Sequence, residues 1–268
     1  MNEKNYEFLA DQIKYTGFGD GLAETLKEKL MHGAPEFTLR HESSFGTDKT
    51  EATLHFRRSS ESDMYFFNRY DLALKNEKLA EPLKQSFYIS AKQDNITLKE
   101  GYNLLSGRAV HKDLANKEGE GSRAWVQLDF KQTEAGGNYR MKQFHEAYGF
   151  DLEKTLDKHA FKELQKPEDR DSLVRSLERG NRQAVTLLTE VGSKPVFLEA
   201  APQFKSLNLY EPNGRRIING KEVGQEGTKE GVTIKQEHEK AKTQKAKSTP
   251  SGEEGGKKRN ASKKQRPV

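Results

Sequence analysis

Tyr210 is the last aromatic residue of the 268-residue chain, and 58 residues follow it, running through "NGRRIINGKEVGQEGTKEG" into "KAKTQKAKSTPSGEEGGKKRNASKKQRPV". A segment of this composition cannot bury enough apolar surface to offset the ordering of its backbone. The pattern therefore predicts disorder over 217–268 and confines any core to residues 1–216. A short strand or helix within Gly231–Lys247 is the one exception it allows. The overall charge of +5 divides unevenly, since Glu239–Val268 holds ten Lys and Arg against three Glu, a net of +7, which leaves −2 for residues 1–238. Basicity is thus a property of the tail. Its densest cluster is Lys257, Lys258, Arg259, Lys263, Lys264 and Arg266, which is expected to meet the phosphates of DNA or RNA without reading sequence.

The chain has no cysteine, which rules out disulfides, thiolate nucleophiles and cysteine-ligated metals and fits a reducing compartment. The start, "MNEKNYEFLADQ", lacks an apolar run behind a basic region, and no stretch of about 18 apolar residues occurs. The expectation is a soluble, cytoplasmic protein with no membrane association.

Upstream of the tail the apolar residues alternate between helical and strand spacing. Tyr6, Leu9 and Ile13 recur with helical period, as do Leu22, Leu26 and Leu30. Between them lies "YTGFGDG". A dinucleotide loop needs a strand feeding its glycines, whereas here a helix does. The stretch therefore reads as a helical turn, with Gly17 closing the first helix and Asp20 capping the second. Two longer segments then share an order of helix, glycine, short strand, long loop and β-hairpin. Gly33 and Gly107 correspond in this order, as do Ala52 and Ala124, and Leu54/Phe56 match Val126/Leu128, with Phe130 continuing the inward side. A shortened third copy follows: a helix with Pro167 at its start and Gly180 beyond its end, then strands at Ala184–Thr189 and Pro195–Glu199. The predicted fold class is α+β, built from duplicated helix plus β-hairpin units. The expected domains are an N-terminal helical hairpin plus β-hairpin unit at 1–90, a second unit with a truncated third at 91–216, and the basic tail.

The segments "MYFFNRYDLALK", "LLSGRAVHKDLANKEGEGSRAWVQLDFKQ", "YRMKQFHEAYGFDLEK", "RGNRQAVTLL" and "FLEAAPQFKSLNLY" resemble an uncharacterised domain family of Bacteroides-type conjugative and other mobile elements. The resemblance spans about residues 1–216 and leaves out the tail. It implies an association with mobile-element DNA processing, and it brings no catalytic residues with it.

None of the seven histidines pairs with another at helical spacing, and "FHEAYG" lacks the second histidine of a zinc helix, so no metal site is expected. No G-x-S-x-G or Walker A occurs, and no catalytic residue, cofactor or small-molecule substrate is expected. A second candidate surface lies in the hairpins. Arg57, Arg58 and Arg69 fall near Tyr65, Phe66, Phe67 and Tyr70, and Arg123 adjoins Trp125, the only tryptophan. Arginines contact phosphates and exposed aromatics stack on bases, although strand alternation sends at least half of these rings into the core. The combined expectation is a non-enzymatic accessory protein of a mobile element. Its tail associates weakly and non-specifically with nucleic acid, and its folded units dock an unidentified protein partner. The alternative is a pure protein-interaction adaptor or inhibitor, for instance one acting against host defence.

Overall fold

A computed structural model describes residues 1–90, 95–115, 121–218 and 221–222. The fold class is mixed α+β. Its plan recurs three times: a helix ends, a glycine with positive φ turns the chain, and an antiparallel sheet follows in which every strand lies beside its neighbour in sequence. The three glycines are Gly33 (φ 74°), Gly107 (φ 82°) and Gly180 (φ 76°), and a side chain would strain each in this left-handed conformation.

The first unit opens with α1 (Glu3–Ile13), whose Asn2 side chain accepts a hydrogen bond from the Asn5 amide. One π-helical turn, Lys14–Phe18, extends it and buries Phe18; Gly17 there has φ 96°. The glycine stretch turns the chain between two helices, as expected. Asp20, however, does not cap α2 (Ala23–His32). Leu22 stands at that position and makes no side-chain cap, while the Asp20 carboxylate is 3.1 Å from Lys14 Nζ. The π turn carries the chain further round than a simple C′ glycine would, which leaves Asp20 outside the helix. Four strands follow in order: β1 (Glu36–Phe45), β2 (Asp48–Arg58), β3 (Tyr65–Lys75) and β4 (Leu83–Tyr88). In place of the expected short strand and long loop, β1 pairs with β2 along its whole length. His41, Ser43 and Phe45 on the inner side of β1 are only half-buried, so the strand's polar second half hides the alternation that would reveal it.

In the second unit α3 (Leu98–Leu105) is closed by a capping box between Thr97 and Glu100, which satisfies two free amide donors at once. It leads to β5 (Val110–Ala115), β6 (Gly121–Thr133) and β7 (Tyr139–His145). After α4 (Leu152–Leu156), the third unit runs from α5 (Pro167–Glu178) into β8 (Gln183–Thr189), β9 (Gly192–Ala201), β10 (Ser206–Tyr210), β11 (Arg216–Ile218) and β12 (Lys221–Glu222). The third unit is not truncated, because its five-stranded sheet is the largest of the three. β10 has every residue half-buried, so it shows none of the alternation that marks a strand in sequence.

Two apolar clusters hold these layers. The first joins Leu9, Leu26, Leu54, Phe56, Tyr70 and Leu72 to Leu104, Val110, Val126 and Leu128, so the inward residues of the first and second units meet in one core. The second gathers Trp125, Phe150, Leu156, Phe161, Leu177 and Leu198. Consecutive residues Trp125 and Val126 therefore lie in different clusters, and the middle sheet is covered on both faces. The boundary expected at 90/91 runs through the first cluster. Phe130 is half-buried and packs against it. The first and middle sheets are also tied by polar contacts: the buried Gln85 amide accepts from the Tyr139 amide at 2.8 Å and donates to the Tyr139 carbonyl at 3.4 Å.

The residues paired by the repeat reading do not share a register. Ala52 pairs with His41, eight residues after Gly33, whereas Ala124 pairs with Lys112, five after Gly107. The expected tail, including any element within Gly231–Lys247 and the cluster at Lys257, Lys258, Arg259, Lys263, Lys264 and Arg266, lies outside the described residues, apart from its first positions in β11 and β12.

Candidate functional site

Among the described residues nothing covers the outer face of the β1–β4 sheet, and it is polar. Its rows can be read from the strand register: Glu36 opposite Arg57 and Phe66; Thr38 opposite His55, Arg69 and Tyr88; Arg40 opposite Thr53, Asp71 and Ser86; Glu42 opposite Glu51, Ala73 and Lys84. Two aromatic rings stand out of this face, Phe66 at 49% and Tyr88 at 70% exposure. They occupy adjacent rows, about 7 Å apart along the strands, each directly opposite an arginine. Large apolar groups on a solvated sheet face beside cations form the arrangement used to stack unpaired bases and hold their phosphates.

Charges in the middle of the face are tied to one another. Asp71 accepts from Ser86 Oγ at 2.6 Å, lies 2.7 Å from His55 Nε2 and is 3.4 Å from Arg69 Nε. The carboxylate sits between the hydroxyl and the imidazole. A nucleophile–base pair needs the imidazole next to the hydroxyl, so this trio orients Arg69 and does not activate Ser86. Arg57 pairs with Glu36 at 3.4 Å, both well exposed, which leaves most of its guanidinium donors open to a ligand.

The structure brings Arg57 and Arg69 together on this face and separates them from the other sequence candidates. Arg58 lies opposite Tyr65, at the end of the strand nearest α1 and close to Asp63. Tyr65, Phe67 and Tyr70 point into the core. Arg123 and Trp125 lie on β6, on the far side of the middle sheet, where they line a cleft against α5 and the segment 144–154. Trp125 is 5% exposed. One neighbour of its ring is His111, stacked at 4.9 Å between centroids, and another is the edge of Phe150 at 5.4 Å, so it is no free stacking platform. His111 Nδ1 lies 3.0 Å from Glu178 Oε1, and this bond holds the Glu178 carboxyl below the usual carboxylate range. Arg123 pairs with Asp113 at 3.0 Å on the surface.

Tyr88 was missed because β4, "LKQSFY", carries buried Gln85 on its core side, and a polar residue there breaks the alternation that would have placed Tyr88 outward. Among the described residues, no group of three or more His, Asp and Glu is placed to hold a metal ion, and no helix is long and apolar enough to cross a membrane. Comparison with known proteins finds no matching family model, no matching curated protein and no matching solved structure.

Proposed function

We propose that the chain is a non-enzymatic accessory protein of a mobile genetic element that associates with nucleic acid. The observation that carries this reading is the pair of exposed rings, Phe66 and Tyr88, each set opposite an arginine, Arg57 or Arg69, on an uncovered sheet face. In this reading the face takes successive unpaired bases, and the basic segment from Glu239 onward adds sequence-independent attraction to phosphates. The mobile-element setting rests on the resemblance of the five quoted segments. The same reading takes the three helix–glycine–sheet units to be duplicated copies whose registers have since diverged. It also has the remaining surface dock a protein partner inside the cytoplasm.

The adaptor or inhibitor reading draws support from the exposed Phe8, Tyr15 and Met31 on the helical layer, away from the stacking face. Binding of a labelled single-stranded oligonucleotide to the full chain, to residues 1–237 and to the Phe66→Ala/Tyr88→Ala variant separates the two. The nucleic-acid reading expects the double variant to lose about 1–3 kcal/mol per stacked base. Absence of binding by the full chain would leave the adaptor reading standing.

A further inference from the structure

A second group of cations surrounds a cleft of about 530 Å³ between the β1–β2 turn, α3 and the start of β8. Three of its lining residues, Lys99, Arg108 and Arg182, are basic, and none is acidic. They come from separate parts of the chain. Gly180 sets the third in place: its close approach to Ala109 and Asn103 brings Asn181 within 3.0 Å of Asn103 Nδ2, and Arg182 follows directly.

Two of the three cations, Lys99 and Arg108, are held mostly by groups that leave their charge unanswered. Lys99 Nζ sits 4.3 Å from the Phe45 ring centroid and 4.7 Å from that of Tyr102, and it has no carboxylate partner among the described residues. The Arg108 guanidinium lies over the Tyr102 ring at 5.0 Å and donates to Asn103 Oδ1 at 2.6 Å. Its side chain is 11% exposed, and its buried Nε has no hydrogen-bond partner among the described residues. One carboxylate, Glu199, serves both arginines. It accepts from Arg182 Nε at 2.7 Å and from the Tyr210 hydroxyl at 3.0 Å, and it stands 3.9 Å from Arg108. Burial and the neighbouring Arg108 charge hold the Lys99 pKa below its ordinary value. Aromatic faces attract a cation without using its N–H donors, so those donors remain for a ligand. A mostly buried cation whose nearest carboxylate is 3.9 Å away, as Arg108 is, is costly to hold, and an anion seated between it and Lys99 relieves that cost.

We propose that this cleft binds a phosphate monoester. A phosphate monoester carries nearly two negative charges at neutral pH, which matches Lys99 and the incompletely neutralised Arg108, and arginine forks fit its oxygens. A single carboxylate would answer only one of those charges. The Phe45 and Tyr102 rings are stacked on each other at 4.3 Å and covered by Lys99, so recognition is of the phosphate end and the rest of the ligand projects outward. Two sources present this group: a free small phosphate compound, or the 5′-terminal phosphate of a nucleic acid.

The test uses the full chain and inorganic phosphate, with chloride at matched ionic strength as the reference. Phosphate raises the melting temperature beyond chloride and shifts the amide resonances of Lys99, Arg108 and Arg182. Lys99→Gln, at an exposed position whose loss spares the core, weakens phosphate binding about tenfold or more. Phe66→Ala/Tyr88→Ala leaves the response intact, so failure of the stacking face and failure of this site are distinguishable. Equal effects of phosphate and chloride overturn the proposal, as does a phosphate response that Lys99→Gln leaves unchanged. Given a response at this site, tighter binding of a 5′-phosphorylated oligonucleotide than of its 5′-hydroxyl twin assigns the terminal phosphate, and equal binding assigns a small phosphate compound.

Discussion

Gly180 packs so closely on Ala109 that a Cβ added to it would stand 2.7 Å from the Ala109 carbonyl oxygen, in a backbone with φ +76°. Gly33 has nearly the same dihedral, φ +74°, but nothing within 4 Å of an added Cβ. The two positions separate the cost of conformation from the cost of space. Gly33→Ala is expected to lower stability by about 1 kcal/mol. Gly180→Ala adds overpacking of about 1–3 kcal/mol to that. Urea unfolding of the two variants measures the difference, and equal midpoints would show that the Ala109 contact gives way freely.

The buried pair Lys112–Glu100, 3.1 Å apart with side chains 4% and 9% exposed, joins the middle sheet to α3. Removing one partner strands a charge, so Lys112→Met is expected to cost about 3–5 kcal/mol. Replacing both with apolar residues costs less than the sum of the single changes. A double-mutant cycle by denaturant melts checks this.

Acid should weaken the fold in two stages. Burial holds the pKa of His41 below its ordinary value, so as pH falls below about 6.5 the unfolded chain takes up protons first and stability declines. The Glu178 carboxyl, lowered by its bond from His111, contributes stability above its unfolded value of 4.5, and that contribution is lost as pH falls through the lower folded value. Glu178→Gln should shrink the second stage, to which Asp129, Asp151 and Asp157, also held below their ordinary values, contribute as well, and leave the first. At the alkaline end Lys99 acts in the same direction. Its depressed pKa makes stability rise with pH between the folded value and 10.5. Melting temperature against pH for the full chain and the Glu178→Gln variant tests all three signs.

Removing the residues after Glu237 should change the salt dependence of DNA binding more than any substitution in the folded part. If about five of the tail charges meet duplex phosphates, log K falls with log salt at a slope of about −4.5 for the full chain. Anisotropy titrations across a salt series read the slope directly. An unchanged slope in residues 1–237 would assign the binding to Arg57, Arg69 and the exposed rings.

Much of this fold could be read along the chain, and what could not has physical causes. Helices whose apolar residues keep one spacing, such as the run containing Leu26 and Leu30, are visible, and so is α5, with Pro167 at its first turn and Gly180 just past its end. The hairpin β2–β3 shows the alternation of a half-buried pair of strands. β4 and β10 do not, because Gln85 is buried for its hydrogen bonds and β10 is half-buried on both sides. The candidate surface was legible only in part. Neighbouring letters suggested that Arg123 and Trp125 act together at the surface, but a sheet covered on both faces buries Trp125 on the side where alternation would leave it exposed. The cleft of Lys99, Arg108 and Arg182 left no local signal at all, since its cations meet only after Gly180 has closed against Ala109.

Trp125 and Val126 give β6 a further role, seen in hydrogen exchange rather than in any static contact. A fluctuation that lifts β6 away from one cluster must also disturb the other, because adjacent residues of a single strand are anchored in both. Its amides from Ala124 to Leu128 are therefore expected to exchange only when the whole chain unfolds, whereas those of the edge strand β12 open by local fraying. Cleaving the chain at 90/91 would leave Leu54 and Phe56 on one piece and Val126 and Leu128 on the other, each with half of a shared core facing water.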